Sequence, residues 1–206
     1  LILCVTDSFK TAIMAEGIPG EKIAVIKNGV DLEFFSPERS LGPEAGRIPG
    51  LENTQGKFVL SYVGTHGMAH GLDTVLKAAE LLRDEPNVLF LLVGDGAERE
   101  HLLKQRDIMR LDNVVFLDQQ PKTRMPAIWA VADVSLVLLK DQPLFATVIP
   151  SKICESMAMM KPVILGVRGE SEALLEESGA GLCVQPESAA QLARAVRRLY
   201  DNPDER

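Results

Sequence analysis

The chain has 206 residues, of which 46% are hydrophobic and 25% charged, so it can bury a real core and is neither disordered nor fibrous. Its formal net charge of −7 repels polyanions, which argues against broad adhesion to DNA, RNA or anionic lipid. Any phosphate has to be held locally. The longest apolar runs, around Leu89–Val93 and Val134–Leu139, are strand-sized rather than membrane spans. The three cysteines, Cys4, Cys154 and Cys183, show no metal spacing and read as reduced thiols of a cytoplasmic protein.

In chain order, Leu1-Ile2-Leu3-Cys4-Val5 is a strand-like run with no signal-peptide pattern before it, so the chain reads as cut from something longer. Asp7 and Ser8 are candidate caps of a short helix, and Ile23–Ile26 is a further strand. Residues 1–37 are read as the tail of a preceding domain plus a linker, and Ser36-Pro37 to Gly56 as a loop rich in proline, glycine and charge. From Phe58 the pattern alternates. Strands are predicted at Phe58–Val63, Val88–Val93, Val114–Leu117, Val134–Leu139, Pro162–Leu165 and Leu182–Val184. The intervening helices carry Leu72 to Leu82, Ala97–Ile108, Ile128–Val131, a start near Ser151, Ser171–Glu177, and a closing stripe of Leu192, Val196 and Leu199. Six strand-then-helix units predict a doubly wound, Rossmann-like parallel sheet over residues 57–206. Ligands of such sheets bind outside the carboxyl ends of the strands.

Three loops at those ends could carry chemistry. The first, Gly64-Thr65-His66-Gly67-Met68-Ala69-His70-Gly71, offers glycines for close backbone approach and a helix start for an anion, or is simply a tight turn. Its spacing fits neither the dinucleotide fingerprint nor a Walker loop. His66 and His70 lie four apart but in a glycine-rich loop, which argues against a metal site. The second loop runs through Thr147, Pro150, Ser151 and Lys152 to Glu155. Helix-start amides and the lysine ammonium suit phosphate, and a carboxylate one turn in suits a ribose diol; an exposed lysine and glutamate on a helix is the bland alternative. The third, Gly94-Asp95-Gly96, reads as an ordinary turn more readily than as a ribose ligand.

Taken together and in order, these segments resemble the C-terminal half of the family 4 retaining glycosyltransferases, whose GT-B fold is two facing Rossmann-like domains. Val25-Ile-Lys-Asn-Gly-Val-Asp31, with Phe35 and Pro37, looks like the family's linker. Tyr62-Val-Gly64 through Gly71-Leu72 looks like its first phosphate loop, and Leu92-Val-Gly-Asp-Gly-Ala-Glu-Arg99 like the segment after its second strand. Glu155-Ser-Met-Ala158 with Lys161-Pro-Val-Ile164 resembles its nucleotide-binding helix and next strand, and Gly181 through Arg206 its closing segment. The family's crossover helix would follow Arg206.

The resemblance implies a donor-binding domain for a nucleotide sugar, a UDP-sugar, with no metal and no cofactor. Glu155 would correspond to the second glutamate of the family's E-x7-E motif and bind the donor ribose. Ser151 and Lys152 amides would take the diphosphate, and the main chain near Gln120 would meet the base. Two positions depart from the family. The first glutamate of the motif falls on Thr147, and the usual Arg and Lys of the first loop fall on Thr65 and His70. That leaves Lys152, backbone amides and a protonated His70 to neutralise the leaving diphosphate. The Thr147–Lys152 stretch resembles a branch that builds bacterial surface polysaccharides, often from N-acetylated amino sugars. A glycan or lipid-linked acceptor would be met by the other domain, with peripheral membrane association at the inner face of the membrane. Readings left open are an epimerase of the same fold, a dinucleotide oxidoreductase using Gly64, Gly67 and Asp95, and a non-catalytic nucleotide-binding module.

Overall fold

A computed structural model of the chain describes residues 1–38 and 48–206. Six strands, β3 (Phe58–Val63), β4 (Val88–Val93), β5 (Val114–Leu117), β6 (Val134–Leu138), β7 (Val163–Gly166) and β8 (Gly181–Cys183), form one sheet in the order β5-β4-β3-β6-β7-β8. All its pairings are parallel. The strands are apolar almost throughout because helices cover both faces, so neither face can be polar. In β3, Phe58, Leu60 and Tyr62 pack toward α2 (Asp73–Leu81) and α7 (Ala189–Asp201), while Val59 and Val63 pack with Trp129 of α4 (Met125–Val131). A third cluster joins β6 and β7 to α5 (Lys152–Ala158) and α6 (Glu170–Ser178). The sixth helix of the domain, α3 (Arg99–Met109), buries Leu102 against the first cluster. The doubly wound sheet predicted from the alternation is present, with strand ends within one residue of expectation.

The strand order reverses between β3 and β6, the point at which such sheets open a crevice. The register sharpens this. β3 pairs with β4 along its whole length, from Phe58↔Val88 to Val63↔Val93, but with β6 only at Leu60↔Val134 and Ser61↔Ser135. Beyond Ser61 the two central strands part.

Residues 1–38 make a separate two-stranded parallel unit, β1 (Ile2–Cys4) and β2 (Ile23–Val25), joined by α1 (Asp7–Ala15). Asp7 and Ser8 do not cap α1. Thr6 does, since its backbone is extended and its hydroxyl accepts from the Phe9 amide at 3.2 Å, whereas Asp7 and Ser8 are already helical. Their amides donate instead to the carboxylate of Glu170 in α6. The linker is pinned at Asp31, whose carboxylate accepts from the amides of Glu33 and Phe34 at 3.1 and 3.0 Å, and Phe35 is buried with Val59 and Trp129. Of the predicted 36–56 loop, residues 39–47 lie outside the described residues. Its end is not open loop: Ile48 and Leu51 are buried in the α4-side cluster. No helix among the described residues is long and apolar enough to cross a membrane.

Helix α5 is held to the sheet by a polar contact inside an apolar core. Ser135 of β6 and Ser156 of α5 are fully buried with their hydroxyls 2.7 Å apart, and the Ser156 hydroxyl also lies 2.7 Å from the Lys152 carbonyl. We predict that Ser156→Ala, which strands the Ser135 hydroxyl, costs about 1–3 kcal/mol of stability, and that adding Ser135→Ala recovers part of it. Urea denaturation of the four proteins of the cycle measures this, and strictly additive losses would refute the coupling.

Candidate functional site

The loops leaving β3 and β4 interlock at the crevice. The His66 amide donates to the Asp95 carbonyl and the Glu98 amide to the His66 carbonyl, each at 2.8 Å. Gly94 (φ 145°) lies so close to the first loop that a Cβ there would sit 1.9 Å from the Gly64 carbonyl oxygen, so only glycine lets the two backbones cross. The Asp95 carboxylate accepts from the Gly96 amide at 2.8 Å, which makes Gly94-Asp95-Gly96 the turn it was read as. Beside this crossing is a cavity of about 240 Å³, lined among others by Gly64, Thr65, Gly94, Asp95, Gln119 and Gln120. The Gln120 side chain donates to the Asp118 carbonyl at 3.0 Å and accepts from Arg124 at 3.1 Å, so it is held in place.

Helix α5 brings Lys152 of the second loop to Gly64, although none of Thr147, Pro150, Ser151, Lys152 and Glu155 lines the cavity itself. Gly64 (φ 144°) leaves room on its side-chain face, and the group that fills it is the Lys152 ammonium, 2.9 Å from where a Cβ would be. Burial lowers the pKa of Lys152 to about 7, with Glu155 opposing the shift. Burial likewise raises the pKa of Glu155, and the Trp129 indole, Lys152 and Lys122 act against it. The Trp129 N–H makes no hydrogen bond of normal geometry, yet it lies near enough to favour the carboxylate. A cation and a carboxylate one turn apart on a short helix can hold an anion and a hydroxyl pair of one ligand.

The structure treats the other predicted residues unevenly. His66 is fully buried, and burial and Arg99 bring its pKa to about 4, with Asp95 opposing and Lys152 and His70 adding to the fall. His70 is also shifted downward, by burial and then Lys152, against the Leu138 carbonyl. In the ligand-free protein burial and the nearby Lys152 thus both favour the neutral form of the two rings, His70 included. The two rings pack on Tyr62, at 5.9 and 5.8 Å between centroids. Gly67 accepts the His70 amide at 3.0 Å and closes the turn. Ser151 is exposed at the start of α5 and makes no side-chain cap, while the Pro150 carbonyl accepts from the Ile153 amide at 3.1 Å. Thr147 does not line the cavity. Its hydroxyl donates to the Leu144 carbonyl at 2.7 Å and its carbonyl accepts from the Thr6 hydroxyl at 2.8 Å.

Residues 57–202 match the family described as "Glycosyl transferases group 1". The chain belongs to the group 1 glycosyl transferases. It is 28% identical over 197 residues to a protein of Escherichia coli (strain K12) assigned to colanic acid biosynthesis as glycosyl transferase WcaI, covering 94% of this chain and 48% of that one. A Bacillus subtilis (strain 168) protein assigned to teichuronic acid biosynthesis, TuaH, is 30% identical over 145 residues, 70% of this chain and 34% of its own. The chain thus spans about half the length, or less, of these relatives. Among solved structures, that of Anabaena Alr3699/HepE in complex with UDP and glucose superposes with a TM-score of 0.83 at 21% identity, over 100% of this chain and 54% of that chain. The fold of this group 1 domain is one Rossmann-like half of the two-domain GT-B arrangement.

Sequence reasoning named Tyr62 at the start of the first loop's motif but gave it no role; its aromatic side chain sits two residues before Gly64 at the last position of β3 facing α2, and that placement was the available signal. The crossing itself gives a test. Gly94→Ala forces a side chain into the Gly64 peptide at an unfavourable φ, and we predict a loss of about 2–5 kcal/mol. Thermal and urea denaturation measure it, and a change below about 1 kcal/mol would mean the loops do not cross this closely.

Proposed function

We propose that this chain is the donor-binding part of a family 4 retaining glycosyltransferase that moves a sugar from a UDP-type donor to a glycan or lipid-linked acceptor. The observation that carries the reading is the Lys152 ammonium beside Gly64 at the sheet's switch point, Gly64 itself being one of the residues that line the cavity. The base enters the cavity beside Gln120, and the Glu155 carboxylate takes the ribose hydroxyls. The diphosphate meets Lys152, the amides of Ser151 and Lys152 and the Gly64–Gly67 loop. Thr65, His66 and a neutral His70 shape that loop, and Pro150 sets the start of α5. At Thr147 a hydroxyl stands where the family has a glutamate for the sugar, a change of the donor's sugar subsite. Relatives named for colanic acid and teichuronic acid biosynthesis support a role in making polysaccharide, and the reading adds an N-acetylated amino sugar as the group transferred.

Transfer in this reading depends on stabilising the negative charge that grows on the departing diphosphate, a task for a fixed cation and oriented amides. Lys152 is that cation, and the proposal assigns no part to a metal or cofactor. The acceptor is bound by sequence outside this chain, so these 206 residues alone bind UDP and transfer nothing. Turnover of a labelled donor by this chain alone would overturn that division.

Two measurements test the site. A charge-assisted hydrogen bond is worth about 1.5–3 kcal/mol, so Glu155→Ala weakens UDP binding by about ten- to a hundred-fold. Unchanged affinity in titration calorimetry would remove Glu155 from the site. Lys152, with a free-state pKa of about 7, is held protonated by a bound diphosphate. A group whose pKa rises on binding makes affinity highest below its free pKa and lower as the pH climbs toward its bound pKa. UDP binding at pH 8 is therefore expected to take up a proton and to weaken with rising pH, with neither effect in Lys152→Met. Calorimetry in buffers of different ionisation enthalpy reads the uptake directly, and proton-neutral binding at pH 8 would contradict the role of Lys152.

A further inference from the structure

Beside Gly64 the Tyr62 side chain touches two groups, the peptide of nearby Thr65 and the ammonium of Lys152 from a distant part of the chain. The Tyr62 ring lies beneath the Lys152 ammonium, 3.9 Å from nitrogen to centroid. The Tyr62 hydroxyl donates to the Thr65 carbonyl at 2.8 Å and would lie 3.8 Å from a Cβ at Gly64. Packing alone does not require a tyrosine there, since Phe58 and Leu60 fill the neighbouring positions of the same cluster with plain hydrocarbon. Burial raises the pKa of the phenol, so it stays neutral and acts as a donor.

We propose that Tyr62 is the positioning residue of the anion site: its ring face holds the Lys152 ammonium over Gly64 while its hydroxyl holds the Thr65 peptide, so that cation and loop form one preassembled receptor for a nucleoside diphosphate. The inference rests on the nucleotide-sugar reading and adds to it the residue that sets the geometry. Among the described residues, those acting on Lys152 are Tyr62 of β3, His66 and His70 of the following loop, and Glu155 on its own helix. The histidines, neutral at pH 7, offer no attraction. The ring face and the Glu155 carboxylate are what keep an ammonium in a pocket whose dryness favours the amine.

The test uses the full-length protein with two substitutions that separate the ends of the side chain. Tyr62→Phe removes the hydroxyl and keeps the ring; Tyr62→Leu removes both. The pKa of Lys152 is read without ligand from the ¹³Cε shift of labelled lysine, a quantity that a merely structural role for Tyr62 would leave unmoved. Loss of a cation–π contact lowers an ammonium pKa, so Tyr62→Leu is expected to shift the midpoint down by about 0.5–1.5 pH units, with Tyr62→Phe close to wild type. UDP affinity at pH 7 should fall about three- to tenfold in Tyr62→Phe and further in Tyr62→Leu. If Tyr62→Leu does not fold, pentafluorophenylalanine at position 62 keeps the ring shape and inverts its quadrupole, and the comparison with Tyr62→Phe gives the same downward shift. An unchanged Lys152 midpoint when the ring is lost or inverted would overturn the proposal, as would wild-type UDP affinity in Tyr62→Phe. Failure of the wild-type protein to bind UDP would defeat the nucleotide reading itself, while the ligand-free midpoints would still decide whether Tyr62 holds Lys152.

Discussion

The site depends on the way β3 and β6 part company. The two strands share only the Leu60↔Val134 and Ser61↔Ser135 pairs, and beyond them each runs into its own loop. A sheet paired to its end would leave no room there. Because β3 stays paired with β4 through Val63↔Val93, the gap opens on one side only, and the loops of β3 and β4 close the other side by crossing at Gly64 and Gly94. What enters the gap is Tyr62 from below and Lys152 from α5, whose seat on β6 is fixed by the Ser135–Ser156 contact. Register, glycine crossing and buried hydroxyls thus set the position of a single ammonium group.

That ammonium resolves an apparent conflict in the chain's charge. In the proposed reading the ligand is a diphosphate, which a chain of net charge −7 repels at long range. Affinity has to come from short-range, desolvated contacts, where Coulomb interactions are strong because water is scarce. Burial raises the cost of keeping Lys152 charged, visible as a pKa near 7, and the ring of Tyr62 and carboxylate of Glu155 offset part of it. The neutral state of His66 and His70 follows from the same dryness: with one cation already in place, adding a second is unfavourable.

Much of this was legible in the order of residues, and the limit lies where meaning passes from local pattern to contact. Short apolar runs alternating with stretches of helical period identified the six strands of the sheet because most of them are buried on both faces, and the glycine loops marked the crevice because close backbone approach needs that residue. Lys152 and Glu155 were expected at a helix start, and there the structure has them, with the Lys152 ammonium beside Gly64. The part played by Tyr62 was not legible, since in β3 it is one more apolar strand residue until Lys152, ninety positions later, is laid over it. The cap of α1 at Thr6 was missed in favour of Asp7 and Ser8 because all three residue types cap helices, and only the extended backbone of Thr6 decides. Ile48 and Leu51, inside a stretch read as loop, could be assigned to the core only once the α4 face of the sheet was in place.

The segment around Thr147, where the proposed reading finds a departure from the family, is held from outside the sheet. The turn Pro143–Thr147 ends where the Thr147 carbonyl accepts from Thr6, the cap of α1, and the amides of Asp7 and Ser8 donate to Glu170 at the start of α6. The loop that delivers α5, and with it Lys152, is therefore tied at one end to the Ser135–Ser156 contact and at the other to the two-stranded unit of residues 1–38. A glutamate at 147 would have to place a charged, longer side chain where a hydroxyl now closes on Leu144. The Leu144 contact, lost with the hydroxyl, is part of what keeps that turn in contact with α1. In the family 4 reading, threonine at this position removes a ligand for the sugar, and the Thr147 hydroxyl gives the loop an internal hydrogen bond that helps fix its path past α1.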